Sequence, residues 1–414
     1  MKALQVLLLY RHPITVNAPT IMDHVKSFKL YSVNSYINVN TEFGFPDIIK
    51  RYSFDVIIFH YSLFGIYPFS LPSEFIKYVK MAKKSVKVAF FQDEYQYCLQ
   101  RFKLINDLNI SVIYSLLNSE NFDKVYGRCK SVKYVFGTLT GYISDDLLNK
   151  SEIYGKPFAE REIDFGYRAR SLPYLMGEGA QDKTNIGLQF LEYCKNKDYS
   201  TDISMSNDSR IYGDDWYRFV GNCKAMLGVE AGVSIFDVDG SAEVECKKFL
   251  KKNPNATFRE TYDCVLHKFE ASPENVKYRM ISPRIFETAA LRVCMILFEG
   301  NYSNLLKPNV HYIALKKDFS NMDSVMSEFH DSQRRKQLVQ NAYRDLIESK
   351  QFSFQGFVRS VDGDFSNIGI LPSDHSFDYG NLEAKVERRE SFCRTYRKIK
   401  YSARKVYHKL LLKS

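Results

Sequence analysis

The stretch Ser282-Pro283-Arg284-Ile285-Phe286-Glu287-Thr288-Ala289-Ala290-Leu291, running on into Val293-Cys294-Met295-Ile296-Leu297-Phe298, reads as a helix followed at once by a buried strand. Ser282 is a good N-cap, because its hydroxyl accepts an orphan backbone N–H. Pro283 then falls at the first helical position, where its missing N–H costs nothing. Arg284 and Glu287 are three residues apart and share one face. The helix N-terminus, with free N–H groups and the positive end of the dipole, favours a phosphate, and Arg284 adds a charge beside it. Glu287, about 4.5 Å further along the axis at about 1.5 Å per residue, is positioned to accept hydrogen bonds from ribose hydroxyls. On this reading one helix end grips the diphosphate and ribose of a nucleotide. The plainer alternative is a capped surface helix with an i,i+3 ion pair.

Working outward, the same alternation of apolar runs and helical patterns fills the chain. Upstream of the helix, strands are expected at 161–168, 201–205 and 225–231, and downstream at 293–298 and 311–315. A long helical insertion is expected at 241–270. An earlier series has strands at 3–10, 36–39, 54–61, 86–92, 110–116 and 132–136, with helices between them. Continuous apolar strands separated by helix-length segments predict parallel sheets covered on both faces. Two such series predict an α/β protein of two Rossmann-like domains facing across a cleft, with ligands at the carboxyl ends of the strands. The expected division is 1–155, 156–350, a returning segment 351–380 and a basic amphipathic tail 381–414.

Composition agrees with a two-domain globular protein of 414 residues, 45% of them hydrophobic. Eight cysteines are scattered without a C-x-x-C pair, so no zinc site or disulfide framework is indicated. The opening MKALQVLLLYRHP is expected to be a first buried strand, not a signal peptide. No run of 18 apolar residues occurs. The net charge is +10, but residues 381–414 hold eleven Lys/Arg against three Glu, leaving the body close to neutral. Nucleic-acid binding by the body is therefore not expected. Neither G-x-G-x-x-G nor G-x-x-x-x-G-K-[ST] is present, which argues against a dehydrogenase or a P-loop NTPase.

The run 282–300, the following YSNLLKPNVHYIALKKDFSN (302–321), and the upstream IDFGYRARSLPY (163–174) and YGDDWYRFVGNCKAMLGVEAGVSIFD (212–237) resemble the nucleotide-binding half of bacterial family 1/family 4-like glycosyltransferases. The resemblance covers roughly 160–330. It implies the GT-B architecture and transfer of a sugar from a nucleotide donor to an acceptor hydroxyl, in assembly of a surface polysaccharide of the O-antigen or capsule type. Retention of configuration is the outcome it favours. In those enzymes a glycine follows the helix and a first glutamate stands eight residues before the second. Here these positions are Arg292 and Arg279.

Several side chains are candidates for this chemistry. Arg168 and Arg170 end the first strand of the second domain, and Lys183 lies near the start of the next helix. Together they are expected to clamp a diphosphate and to stabilise the charge of the leaving group; in the resembled family an Arg and a Lys from this region do so. A solvated basic loop is the alternative. Glu230, with Ser234 beyond it, ends the strand 225–231 and is the candidate to touch the sugar in place of the missing first glutamate; a cap or turn role is the alternative. His60 and Asp93 end strands of the first domain and are the candidates to position or deprotonate an acceptor hydroxyl, against a structural histidine or a helix-capping aspartate. No metal or other cofactor is expected, because Arg, Lys and the helix end can neutralise the diphosphate. Asp237-Val238-Asp239, in a loop, is the D-x-D considered for a metal.

In the tail, Phe392, Tyr396, Ile399, Ala403, Val406, Tyr407 and Leu410 form one helical stripe between Lys and Arg residues. A basic amphipathic helix of this kind predicts docking on an anionic membrane surface, and a helix packed on the body is the rival. The expected partners are a nucleotide sugar, a glycan or lipid-linked glycan acceptor, and the cytoplasmic membrane at its inner face. A sugar-nucleotide 2-epimerase and a non-catalytic scaffold of the same fold are the other function classes.

Overall fold

The computed structural model describes residues 2–13, 19–374 and 379–411, with 402–411 as backbone only. The first sheet contains β1 (Gln5–Tyr10), β2 (Ser35–Asn40), β3 (Val56–Phe59), β4 (Val86–Phe90), β5 (Val112–Ser115) and β6 (Tyr134–Gly137). All its pairings are parallel, in the order β2-β1-β3-β4-β5-β6. The central strands are mostly apolar because both faces are covered. Leu7, Leu9, Ile57 and Phe59 point into one core, and Val6, Leu8, Val56 and Ile58 into the other.

The second sheet contains β7 (Ile163–Arg168), β8 (Thr201–Ser204), β9 (Cys223–Gly228), β12 (Cys294–Phe298) and β13 (Ile313–Leu315). Its order is β13-β12-β9-β7-β8, again all parallel. In each sheet the second strand lies outside the first and the third on its other side. The strand order therefore reverses between β1 and β3, and between β7 and β9. Crevices for ligands open at such points, outside the carboxyl ends of the strands.

The long insertion is only partly as expected. Helix Ser241–Lys252 and a helical run from Phe258 to Glu270 are present. They are flanked by a short antiparallel ribbon, β10 (Ala231–Val233) with β11 (Tyr278–Met280), that the periodicity does not reveal. Three-residue strands are too short for alternation to show. Gly232, opposite Arg279, has φ +93, and a Cβ there would sit 1.9 Å from the Tyr278 carbonyl oxygen. The ribbon ties the domains together, since Val233, Phe236, Val276, Tyr278 and Met280 all belong to a first-domain core.

After residue 350 the chain returns to the first sheet. Helix Phe354–Asn367 inserts Phe354, Phe357, Val358, Val361 and Phe365 into the second core of that sheet. The final helix, Tyr379–Leu411, begins as a brace on the first domain. Leu382 and Val386 are fully buried. Arg389 donates to the carbonyls of Phe43 and Gly44 at 2.9 and 3.2 Å, and Arg397 pairs with Glu42 at 2.6 Å. The stripe residues Phe392, Tyr396 and Ile399 lie away from that contact, 72%, 58% and 64% exposed. The side chains of Ala403, Val406, Tyr407 and Leu410 lie outside the described part. Among the described residues no helix is long and apolar enough to cross a membrane.

Candidate functional site

A cavity of about 370 Å³ opens at the reversal point of the second sheet. Arg168, Ala169 and Arg170 leave β7 on one side, and Gly228 and Val229 end β9 on the other. The helix Pro283–Ala290 aims its N-terminus here. As the sequence predicts, Ser282 caps it, its Oγ accepting from the Arg284 N–H at 3.4 Å, with Pro283 at the first position. Phe286, Ala289 and Ala290 bury the opposite face in the core, which fixes the helix end against the crevice. Ser282, Arg284, Ile285 and Thr288 line the wall.

The cationic candidates divide into two kinds. Arg170 is exposed and Lys183 half-buried, and both line the cavity. Lys183 is pushed down to about 8, first by burial and then by the charges of Arg279, Arg284 and Arg170, with Asp93 acting in the opposite direction. Arg168 is different. Its Nε donates to the Ser209 carbonyl at 3.0 Å, and its Nη1 to the carbonyls of Tyr167 and Asp202 at 2.9 and 2.8 Å. Its Nη2 pairs with Asp202 Oδ1 at 2.7 Å, and the guanidinium lies 4.5 Å from the Phe219 ring centre. Four donors are thus committed to holding β7, β8 and the following turn, so Arg168 shapes the wall and has little left for a ligand. Arg284 donates to the Arg168 carbonyl and lies 5.0 Å from the Trp216 ring centre.

Glu287 stands behind this wall, half-buried. Its Oε2 accepts from Trp216 Nε1 at 2.7 Å. Burial raises its pKa, while the Trp216 hydrogen bond and Arg284 oppose the shift. Among the described residues nothing donates to Oε1, so one carboxylate oxygen is free.

Glu230 does not reach the cavity, contrary to expectation. It is buried, and its Oε1 accepts the backbone N–H groups of Asn301 and Tyr302 at 3.1 and 2.9 Å. Its Oε2 lies 3.5 Å from Arg279 Nε. Arg279 in turn pairs with Asp182 at 3.0 Å, and Lys317 reaches the same Asp182 oxygen at 2.9 Å. The carboxylate is therefore a loop anchor inside an ion network. Ser234 likewise caps a helix, accepting from Gly179 N at 2.9 Å.

On the first-domain side, His60 is also displaced from its expected role. It is fully buried, with Nε2 3.0 Å from His24 Nδ1 and Nδ1 2.9 Å from Ser62 Oγ. A strand's carboxyl end does not guarantee exposure: here Tyr61, Phe90 and Phe357 close over the histidine pair. Asp93 is exposed in the turn after β4, with φ 50, and its charge acts on Lys183 across the cleft. Tyr95 OH donates to Asp93 Oδ1 at 3.4 Å. The structure thus brings Asp93, Arg170, Lys183, Ser282 and Arg284 to one region, with Glu287 adjoining, and leaves His60 and Glu230 out.

Asp237 and Asp239 serve as caps. Asp237 accepts from the N–H groups of Ala242 and Glu243 at 3.2 and 2.8 Å, and Asp239 from Ser241 N at 3.0 Å. Among the described residues no cluster of three or more His, Cys, Asp or Glu could hold a metal ion. Trp216 was not among the sequence candidates. Its signal is that it is the one tryptophan in the chain.

No protein-family model matches the chain, and no curated protein matches it in sequence. Solved structures do match in shape. An α-glucosyltransferase in complex with UDP-glucose and DNA containing an abasic site superposes with TM-score 0.50 at 8% identity, over 88% of this chain and 99% of that one. Anabaena Alr3699/HepE in complex with UDP-glucose gives 0.47 at 9% identity, over 88% and 100%. A glycosyltransferase from Rickettsia africae ESF-5 gives 0.47 at 12%, over 89% and 99%. The likeness is one of fold: two Rossmann-like domains face each other across a cleft in the GT-B arrangement, with a helix at the end of the described chain.

Proposed function

We propose that the chain is a glycosyltransferase that moves a sugar from a nucleoside-diphosphate donor to an acceptor hydroxyl. One observation carries the reading. Lys183 and Arg170 line a cavity at the reversal point of the second sheet, beside a capped helix N-terminus, and among the described residues no carboxylate pairs with either. That is the chemistry of a diphosphate site. The α-glucosyltransferase of the same fold is described with UDP-glucose bound.

In this reading the diphosphate lies between Lys183, Arg170 and the Ser282–Arg284 helix end, and the free oxygen of Glu287 takes a ribose hydroxyl. The bond from the anomeric carbon to the diphosphate oxygen breaks as the bond to the acceptor oxygen forms. The fixed cations stabilise the charge that grows on the leaving group. In a retaining transfer the departing diphosphate receives the acceptor proton, so no enzyme nucleophile is needed. Asp93 faces this point from the acceptor side.

The setting we favour is a surface polysaccharide assembled at a membrane. Phe392, Tyr396 and Ile399 stand out from the final helix among Lys and Arg residues, a pattern suited to an anionic leaflet. The test is calorimetric titration with UDP, GDP, CDP and ADP and their sugars, followed by transfer assays. Glu287→Ala should weaken donor binding by about 1.5–3 kcal/mol, and Arg284→Ala should slow turnover as well. Wild-type affinity and turnover in both folded variants sink the assignment. Sugar conversion without any acceptor would favour an epimerase, and no nucleotide binding at all a scaffold.

A further inference from the structure

Trp216 joins two residues of the proposed donor site. It sits in the helix Asp214–Gly221, is 8% exposed, and lines the cavity. Its Nε1–H donates to Glu287 Oε2 at 2.7 Å, and its ring face carries the Arg284 guanidinium at 5.0 Å. The ring is itself held by Phe219, centres 5.7 Å apart. Glu287 and Arg284 lie three apart on another helix, so this one indole touches both. An acceptor-only carboxylate held on one oxygen by a rigid donor has its second oxygen aimed in a defined direction. A guanidinium on an aromatic face keeps its edge free for an anion.

We infer that Trp216 is a positioning residue for the nucleotide, fixing the Glu287 carboxylate through its N–H and the Arg284 guanidinium through its face. The inference rests on the nucleotide reading of the cavity. It assigns the two roles to different parts of one side chain, so they separate experimentally. Phenylalanine keeps the face and loses the donor. The charged and titratable groups facing Glu287 are Arg284, one turn back, and Tyr217 of the neighbouring helix. Lys150 lies 4.9 Å from the Tyr217 ring centre, and Asp146, Asp214 and Asp23 act on Tyr217. Loss of the indole donor removes an interaction that favours the charged carboxylate, so the Glu287 pKa rises.

The experiment uses the full chain and whichever of UDP, ADP or GDP gives the largest thermal shift. In Trp216→Phe the dissociation constant should rise about 10- to 100-fold, as for a lost hydrogen bond to a charged group. The acid limb of the affinity–pH profile should move to higher pH, and kcat should fall less than kcat/KM. In a Glu287→Gln background the same Trp216→Phe change should have at most a twofold effect, because its partner charge is gone. Equal losses in both backgrounds, or an unmoved acid limb, overturn the inference. In the wild type the sole tryptophan should change its emission on saturation. An unchanged spectrum in a protein that does bind nucleotide also overturns it, whether or not the variants fold. Absence of nucleotide binding by the wild type instead fails the parent reading and takes the inference with it.

Discussion

Arg279 of β11 donates from Nη2 to Asp182 Oδ2 at 3.0 Å, tying the β10–β11 ribbon to the N-terminal part of helix Glu178–Cys194. Its Nη1 also donates to the Gly179 carbonyl, and its Nε lies 3.5 Å from Glu230. The position where the resembled enzymes carry a glutamate is thus filled by the cation that neutralises two buried carboxylates. Arg279→Glu would leave three carboxylates together with only Lys317 to balance them. We expect a loss of about 3–5 kcal/mol, the cost of breaking a buried pair from one side, read by urea denaturation. Stability within 1 kcal/mol of wild type, a bound set here for the test on the scale of a surface pair, would show that the network holds nothing.

Lys183 supplies a pH signature. Its ammonium is held down to about 8 by burial and by three neighbouring arginines. It is therefore charged below that value and neutral above it. Above the acid limb set by Glu287, nucleotide-sugar affinity should be flat and then fall as pH climbs through about 8, by roughly 10- to 100-fold if the lost contact is a charged hydrogen bond. Lys183→Arg keeps its charge throughout and should flatten the curve. A wild-type profile with the same alkaline limb in Lys183→Arg assigns that limb elsewhere.

The His24–His60 pair predicts acid lability. Burial holds His24 down to about 3, and burial with its neighbour holds His60 well below its ordinary value. Unfolded histidines take up protons near 6.5, so below that pH the unfolded chain binds more protons and stability falls as pH falls. Each histidine should contribute about 1.4 kcal/mol per pH unit. Urea titrations from pH 7.5 to 5 should show this slope in wild type and a much shallower one in His24→Asn/His60→Gln. Parallel slopes would mean that neither imidazole is held neutral.

For the final helix, two truncations separate brace from dock. Removing 381–414 strips Leu382 and Val386 from the core, and each buried aliphatic of that size is worth about 2–5 kcal/mol, so the melting temperature should drop. Removing 402–414 takes away Arg404, Lys405, Lys409 and Lys413 and leaves the brace intact. The melting temperature should then hold, while co-sedimentation with phosphatidylserine vesicles weakens by about 1 kcal/mol per lost charge at low salt, a difference that shrinks at high salt. Equal sedimentation of the full chain and the 402–414 truncation removes the membrane role.

Much of this protein was legible in its residues because the relevant physics is local. Central strands such as β1, β3 and β12 coincide with continuous apolar runs, since a strand buried on both faces is apolar at nearly every position. The Ser282-Pro283 start of the helix Pro283–Ala290 was equally readable, because capping depends on neighbours within one turn. The cavity opens at the carboxyl ends of β7 and β9, because strand order alone sets where such a crevice lies. What the sequence did not decide is which polar residue at a strand end is free. Glu230 and His60 sit at the expected positions, yet a loop amide pair claims one and a second histidine the other. Arg168 is spent on carbonyls brought in from 202 and 209, while Lys183, fifteen residues on, is not. Trp216 meets Glu287 across 71 residues. Such assignments belong to tertiary structure, because a hydrogen-bonding group takes whichever partner the packing brings within about 3 Å, and no local pattern records that partner.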